Sequence, residues 1–213
     1  MKFDTSSLIT HNTDYIKVIA LITMVIDHIS VLFFPNIIIL RIIGRVSYPL
    51  IAYLIALGYQ RTSDYKSYLT RLILFSFVSA IPYYYFSEGI NVIFTLSFGL
   101  MTIHFYKKNK KVISLLLIIL AEMLRFSYGW YGVLMILFFN IFIEHPKKFI
   151  FSLFILNLIY LIIHNSYIQF FSMAALIFLF LKFDKKIRLS KHLFYWFYPL
   201  HLYILLIIKK III

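Results

Sequence analysis

Apolar residues run along this chain in long stretches, and most charged residues collect in the short gaps between them. The stretches lie at about 15–34, 45–60, 68–86, 91–106, 111–125, 129–143, 148–164, 167–181 and 192–209. None shows the strict alternation of a half-buried strand, so each predicts a helix. A bilayer core takes roughly 17–25 residues of regular helix, and in lipid only helices or a closed barrel satisfy the backbone. The pattern therefore predicts an all-α polytopic transmembrane bundle of about nine spans, with residues 1–213 forming one domain. "NIIILRI" (36–42) predicts a short interfacial helix before the second span, which begins near "GRVSYP".

Composition agrees. The chain is 62% hydrophobic, with a mean hydropathy of +0.91. A soluble domain is usually about 45–50% apolar. The net charge of +13 would suggest nucleic acid in a soluble protein. Here the Lys and Arg sit mostly in "RTSDYKSYLTR" (61–71), "KKNKK" (107–111), "EHPKK" (144–148) and "KFDKKIRLSK" (182–191). The intervening loops at "SEGIN" (87–91), "RFSYG" (125–129) and "HNSYIQ" (164–169) are much poorer in both. This alternation predicts basic loops and the N-terminus in the cytoplasm and the C-terminus outside, with no nucleic-acid partner. Arg41 and Arg45 break the rule, because they would lie outside, and Lys209 and Lys210 also sit at the outer end, where long side chains snorkel. The expected location is the cell membrane. No cleavage site follows the first span, so no signal peptide is expected. With no cysteine there are no disulfides, thiolate metal sites or enzyme thioester. There is no P-loop, GxGxxG or HExxH, and the histidines are not spaced for a metal.

Polar groups inside a span are costly, about 2.5–3.5 kcal/mol for a charge at the centre, and are functional candidates by default. Lys17 and His28 are about three turns apart and fall within roughly 20° of each other, on one stripe with Met24 and Asp14. Asp27 points about 100° away from His28, which suits a partner on a neighbouring helix. Asp27 and His28 read either as helix glue or as a proton acceptor in a polar cleft. His201, near the middle of the last span, shares a face with Tyr198 and follows Pro199, which frees a carbonyl. It reads as a buried hydrogen-bonded residue or as a second catalytic imidazole. Arg45, at a helix start or break, is a snorkelling residue or a fixed cation for a phosphate or carbonyl oxygen. Asn91 and Thr95 share a face and serve either substrate or helix packing. Arg71 heads the third span. Glu122 and Arg125 suit an i,i+3 salt bridge. "YGWYG" (128–132) shapes a pocket or anchors at the interface. His104, His145, His164 and His192 lie at span ends and read as structural.

The ordered set "KVIALITMVIDH" (17–28), "RIIGRVSYPLIAYLIALGY" (41–59), "YLTRL" (68–72) with "SAIPYYY" (79–85), "NVIFTLSFGL" (91–100), "SYGWYGVLMIL" (127–137) and "FYWFYPLHL" (194–202) resembles the TraX family over nearly the whole chain. That family is implicated in N-acetylating pilin. It is similar in design to transmembrane acyltransferases such as acyltransferase-3, whose first helix carries an Arg-x10-His pattern; Lys17 and His28 have that spacing. Many members have an Asp before the Tyr-Gly pair, where this chain has Ser127, so no acid is assigned there. The resemblance implies an acetyltransferase moving acetyl from cytosolic acetyl-CoA to a membrane-embedded peptide amine, with O-acetylation of a glycan or lipid-linked sugar as the alternative. On that reading His28, His201 and Asp27 are catalytic. Lys17, Arg45, Arg71, Asn91, Thr95 and Tyr198 bind donor or acceptor, Lys17 meeting the CoA phosphates. The partners are acetyl-CoA, the acceptor and the bilayer, and a homodimer is compatible. The residues by themselves also fit a proton-coupled transporter using Asp27, His28 and His201, or a non-enzymatic assembly factor.

Overall fold

The structure is a computed structural model that describes residues 2–3, 13–87, 89–182 and 189–212. Residues 4–12, Glu88 and 183–188 of the basic 182–191 segment lie outside the described residues, as does the side chain of His192.

The elements are helical almost throughout. After β1 (Lys2–Phe3) come α1 (Thr13–Phe33), α2 (Ile38–Gly44), α3 (Ser47–Arg61), α4 (Tyr65–Phe86) and α5 (Val92–Lys107). Then follow α6 (Lys111–Met123), α7 (Gly129–Phe142), α8 (Pro146–His164), a 3-10 segment (Tyr167–Ala174), α9 (Ala175–Phe180), β2 (Leu181–Lys182) and α10 (Lys191–Ile212). β1 and β2 make a two-residue antiparallel pairing, Lys2 with Lys182 and Phe3 with Leu181. All nine apolar runs fall on these helices, and the 36–42 run falls on α2. The eighth run is broken: its first half winds as a 3-10 helix before α9 continues.

Among the described residues, five helices are long and apolar enough to cross a membrane: 13–33, 38–61, 65–86, 146–164 and 195–212. At 21 residues, α1 is about 31 Å long, close to the thickness of a bilayer core. The apolar helices α5 and α7 are shorter, at 16 and 14 residues. The chain is a multi-pass membrane protein by this measure, and its surface supports that. Large apolar side chains stand outward on α4 (Phe77), α6 (Val112, Met123), α8 (Ile162) and α10 (Ile211). In water such a surface would aggregate; against lipid tails it costs nothing.

The core is organised around α3. Its sequence "SYPLIAYLIALGYQR" is apolar all round, which marks a helix buried on every side. Tyr48, Leu50, Ala52, Tyr53, Ala56 and Leu57 are all at or near zero exposure. α3 packs against α1, α5, α7 and α9. Around it α10 joins α1 to α4, α5 joins α4 to α7, and α8 carries the 3-10 segment back toward α2.

The helices alternate in direction, so the loops sort to two ends. One end holds Arg61, Lys66, Lys107, Lys108, Lys110, Lys111, Lys147 and Lys148. The other end holds the α1–α3 connection, the 87–91 loop, the 124–128 turn and the end of α8. Among the described residues its basic groups are Arg41, Arg45 and Arg125 in those loops, with Lys209 and Lys210 in the last turn of α10.

Candidate functional site

A cavity of about 350 Å³ opens at the end that holds the α1–α3 connection and the 124–128 turn. Small-molecule sites typically have about 300–1,000 Å³. Its wall includes Met24, Asp27, His28 and Val31 of α1, Arg41 and Gly44 of α2, and Arg45, Ser47 and Tyr48 beyond it. The far wall carries Tyr83 and Phe86 of α4, Val92 of α5, Ser127 and Tyr128, Tyr160 of α8 and Tyr198 of α10.

Two histidines far apart in sequence meet at this cavity. His28 Nδ1 lies 2.7 Å from His201 Nε2, and the two rings are within 6° of coplanar. So short a contact between coplanar rings is an N–H···N hydrogen bond. The other nitrogen of His201, Nδ1, lies 2.8 Å from the Phe197 carbonyl oxygen. A carbonyl only accepts, so His201 Nδ1 carries a proton and its Nε2 is the acceptor. His28 Nδ1–H then donates to it, and the lone pair of His28 falls on Nε2. Nε2 has no hydrogen-bond partner among the described residues. Phe86 and Tyr198 pack on the His28 ring at centroid distances of 4.6 and 6.2 Å and hold it in place.

The second element is a charge cluster. Asp27 Oδ1 accepts from Arg41 at 2.9 Å and from Arg45 at 2.8 Å. Asp27 thus faces α2, in the direction its helical angle predicts. The close approach depends on Gly44, since a Cβ there would overlap the Asp27 carboxylate. One carboxylate against two guanidinium groups leaves a surplus positive charge. All three nitrogens of Arg45 are engaged: Nε with the Arg41 carbonyl at 3.4 Å, Nη1 with Gln169 Oε1 at 3.2 Å and Nη2 with Asp27. One N–H on each terminal nitrogen remains without a partner among the described residues.

Tyr128 forms part of the far wall. Its backbone is left-handed at φ 67°, an uncommon conformation for a bulky residue. Its ring stacks on Tyr48 at 4.0 Å. Ser127 Oγ donates to the Ile90 carbonyl at 3.0 Å and accepts from Tyr83 O–H at 2.7 Å, which ties the two loops of this end together.

Several expected site residues are placed elsewhere. Lys17 is bound to Asp14 at 2.7 Å, and neither lines the cavity. Arg71 is exposed at the basic end and donates to Ser67 at 2.6 Å. Asn91 caps α5, accepting from Ile93 N–H at 3.0 Å, while its amide donates to the Ser76 carbonyl at 2.8 Å. Thr95 donates to the Ser127 carbonyl. Both residues are committed to backbone partners and hold the wall from behind. Glu122 does not pair with Arg125; it turns to the Trp130 N–H at 3.2 Å and caps α7. Sequence reasoning missed Gln169 and Asn157, which back Arg45 together with Tyr131 of the "YGWYG" stretch. Asn157, an amide amid "FILNLIY", was the available signal.

The family comparison decides what this arrangement belongs to. The model described as "TraX protein" matches residues 12–209. The chain belongs to the TraX family. It is also similar to the "Probable fimbrial assembly protein FimC, serogroup H1" of Dichelobacter nodosus, 28% identical over 58% of each chain. A second relative is the "Uncharacterized protein RP591" of Rickettsia prowazekii (strain Madrid E), 33% identical over 40% of this chain and 42% of that one. The chain thus matches less than two thirds of the length of either relative. No solved structure matches. Within the TraX match fall both histidines, both arginines and Asp27.

Proposed function

We propose that this TraX-family chain is an integral membrane acetyltransferase that moves the acetyl group of acetyl-CoA to the amine of a membrane-inserted peptide. The observation that carries the reading is the directional chain from the Phe197 carbonyl through His201 to His28, ending in an open cavity beside a surplus arginine charge. The TraX match and a relative named for fimbrial assembly favour a pilus or fimbrial subunit as the acceptor.

The steps follow from the side chains. The acceptor nitrogen attacks the thioester carbonyl, forming a C–N bond and putting negative charge on the carbonyl oxygen. His28 Nε2 takes the proton that the nitrogen sheds. The resulting imidazolium stays bonded through Nδ1–H to His201, whose own Nδ1–H is held by Phe197. His201 so plays the orienting role that a carboxylate plays in a Ser-His-Asp triad. The two free N–H groups of Arg45 suit the oxyanion, and removing such a donor costs about 10²–10³ in kcat in other enzymes. Collapse expels the CoA thiolate, which takes the proton back from His28. Asp27 keeps two cations at close quarters and does not touch the histidines.

The cavity suits the acyl end of the donor and the tip of the acceptor rather than a whole nucleotide. Positive-inside orientation would put its mouth on the outer face, where a peptide end freed after translocation would meet it. The test is turnover by the purified chain in liposomes with acetyl-CoA and an amine-terminated peptide, read as free CoA thiol. His28→Ala should abolish it while the protein remains monodisperse. Full turnover in that variant would sink the mechanism. A peptide with a blocked amine but a free hydroxyl separates N- from O-transfer.

A further inference from the structure

Behind Arg45 runs a second chain of buried polar groups. Gln169 Oε1 accepts from Arg45, and its Nε2 donates to Tyr131 Oη at 3.1 Å. Tyr131 donates to Asn157 Oδ1 at 3.2 Å, which also accepts from Ser172 Oγ at 2.9 Å. Asn157 Nδ2 donates to the Leu153 carbonyl at 2.9 Å. Tyr131 and Ser172 have no exposure, and Asn157 and Gln169 have 1% and 3%.

The end of this chain fixes its direction. The Leu153 carbonyl only accepts, so the Asn157 amide presents its oxygen to Tyr131. Tyr131 donates onward and accepts from Gln169, and Gln169 must turn its oxygen toward Arg45, which only donates. Tyr131 Oη also lies 3.4 Å from Ser172 Oγ, so its proton can go to Asn157 or to Ser172, and in either arrangement it accepts from Gln169; an unpaired group here would cost about 1–3 kcal/mol. The break in the eighth helical run matters for the same reason, because the 3-10 segment carries both Gln169 and Ser172 into the core.

From this geometry we infer that Gln169 is a positioning residue. It sets the plane of the Arg45 guanidinium, so that the two N–H groups left free by Asp27, Arg41 and Gln169 face the cavity that His28 lines. A cation held by Asp27 alone could swivel about that one contact. Held at all three nitrogens, it is a fixed fork. The inference rests on the acyl-transfer reading for its consequence, but not for its structural content.

Two measurements test it. In chain labelled with ¹⁵N-arginine and placed in lipid nanodiscs, the Arg45 Nε–H signal, assigned with Arg45→Lys, should exchange slowly with water. Gln169→Met should make it exchange quickly. An unchanged signal would overturn the inference whether or not the chain turns over acetyl-CoA. The second measurement is a double-mutant cycle on acetyl-CoA turnover. Gln169→Met should lower kcat about tenfold with little change in KM, and should add less than about twofold in an Arg45→Lys background. Losses that multiply would assign Gln169 a merely structural role. If Gln169→Met does not fold, Tyr131→Phe removes the acceptor of Nε2 and should act in the same direction, again only when Arg45 is present. Turnover that survives His28→Ala would overturn the base mechanism and leave the Arg45 exchange result standing.

Discussion

Asp27→Asn probes how the cavity is held together. In the native chain one carboxylate oxygen accepts from two guanidinium groups at 2.8 and 2.9 Å. The amide has the same shape but no charge, and it adds donors where donors are already in excess. Arg41 and Arg45 would then face each other without a counter-ion. At an effective dielectric of about 20, unit charges about 4 Å apart interact by about 4 kcal/mol. Removing one partner of a buried pair costs about 3–5 kcal/mol. Arg41 is 30% exposed, so solvent screens part of this. The expected loss is about 3 kcal/mol, or roughly 6–12 °C in Tm for a chain of this length. Thermal unfolding in detergent, followed by intrinsic fluorescence, would read it. Arg41→Gln added to Asp27→Asn should restore part of the loss, because it removes the surplus cation. A Tm within about 1 °C of wild type, or a double variant less stable than Asp27→Asn, would refute the reasoning.

Three further outcomes are expected. His201→Phe leaves His28 Nδ1–H without an acceptor and frees the tautomer; kcat should fall about 10²-fold with the fold intact, as read by CoA-thiol release and circular dichroism. Gly44→Ala drives a methyl into the Asp27 carboxylate and should cost about 1–3 kcal/mol, measured as a lower Tm. Asn91→Ala removes a helix cap and a buried bond to Ser76, so stability should drop by about 1–2 kcal/mol while kcat stays within about twofold, in contrast to the donor- or acceptor-binding role that the family resemblance implies for Asn91.

The helices were legible because an apolar run is a local signal, and each expected run lies on helix to within a few residues. Angles along one helix were legible too: Asp27 turns toward α2 because successive residues are about 100° apart. What periodicity does not carry is the identity of the partner. His28 and His201 each stood out as buried imidazoles, but their meeting depends on α10 packing between α1 and α4. The same limit misplaced Lys17. It shares the His28 stripe, yet about 16 Å of helix lies between them, and its charge is bound locally by Asp14. Asn91 and Thr95 looked available because sequence does not show the backbone carbonyls they meet. Gln169 was read only as the edge between a loop and the eighth run, because the helix break that carries it inward has no composition of its own. The two arginines that violate the loop-charge pattern were the best sequence-level marker of the site.

The most direct test of the central claim is mass spectrometry of membrane peptides from cells with the gene, without it, and with His28→Ala in its place. The account predicts one peptide whose N-terminal amine carries an acetyl group only in cells with the wild-type gene. An acetylated-peptide set that is the same in all three, or fully restored by His28→Ala, would contradict it.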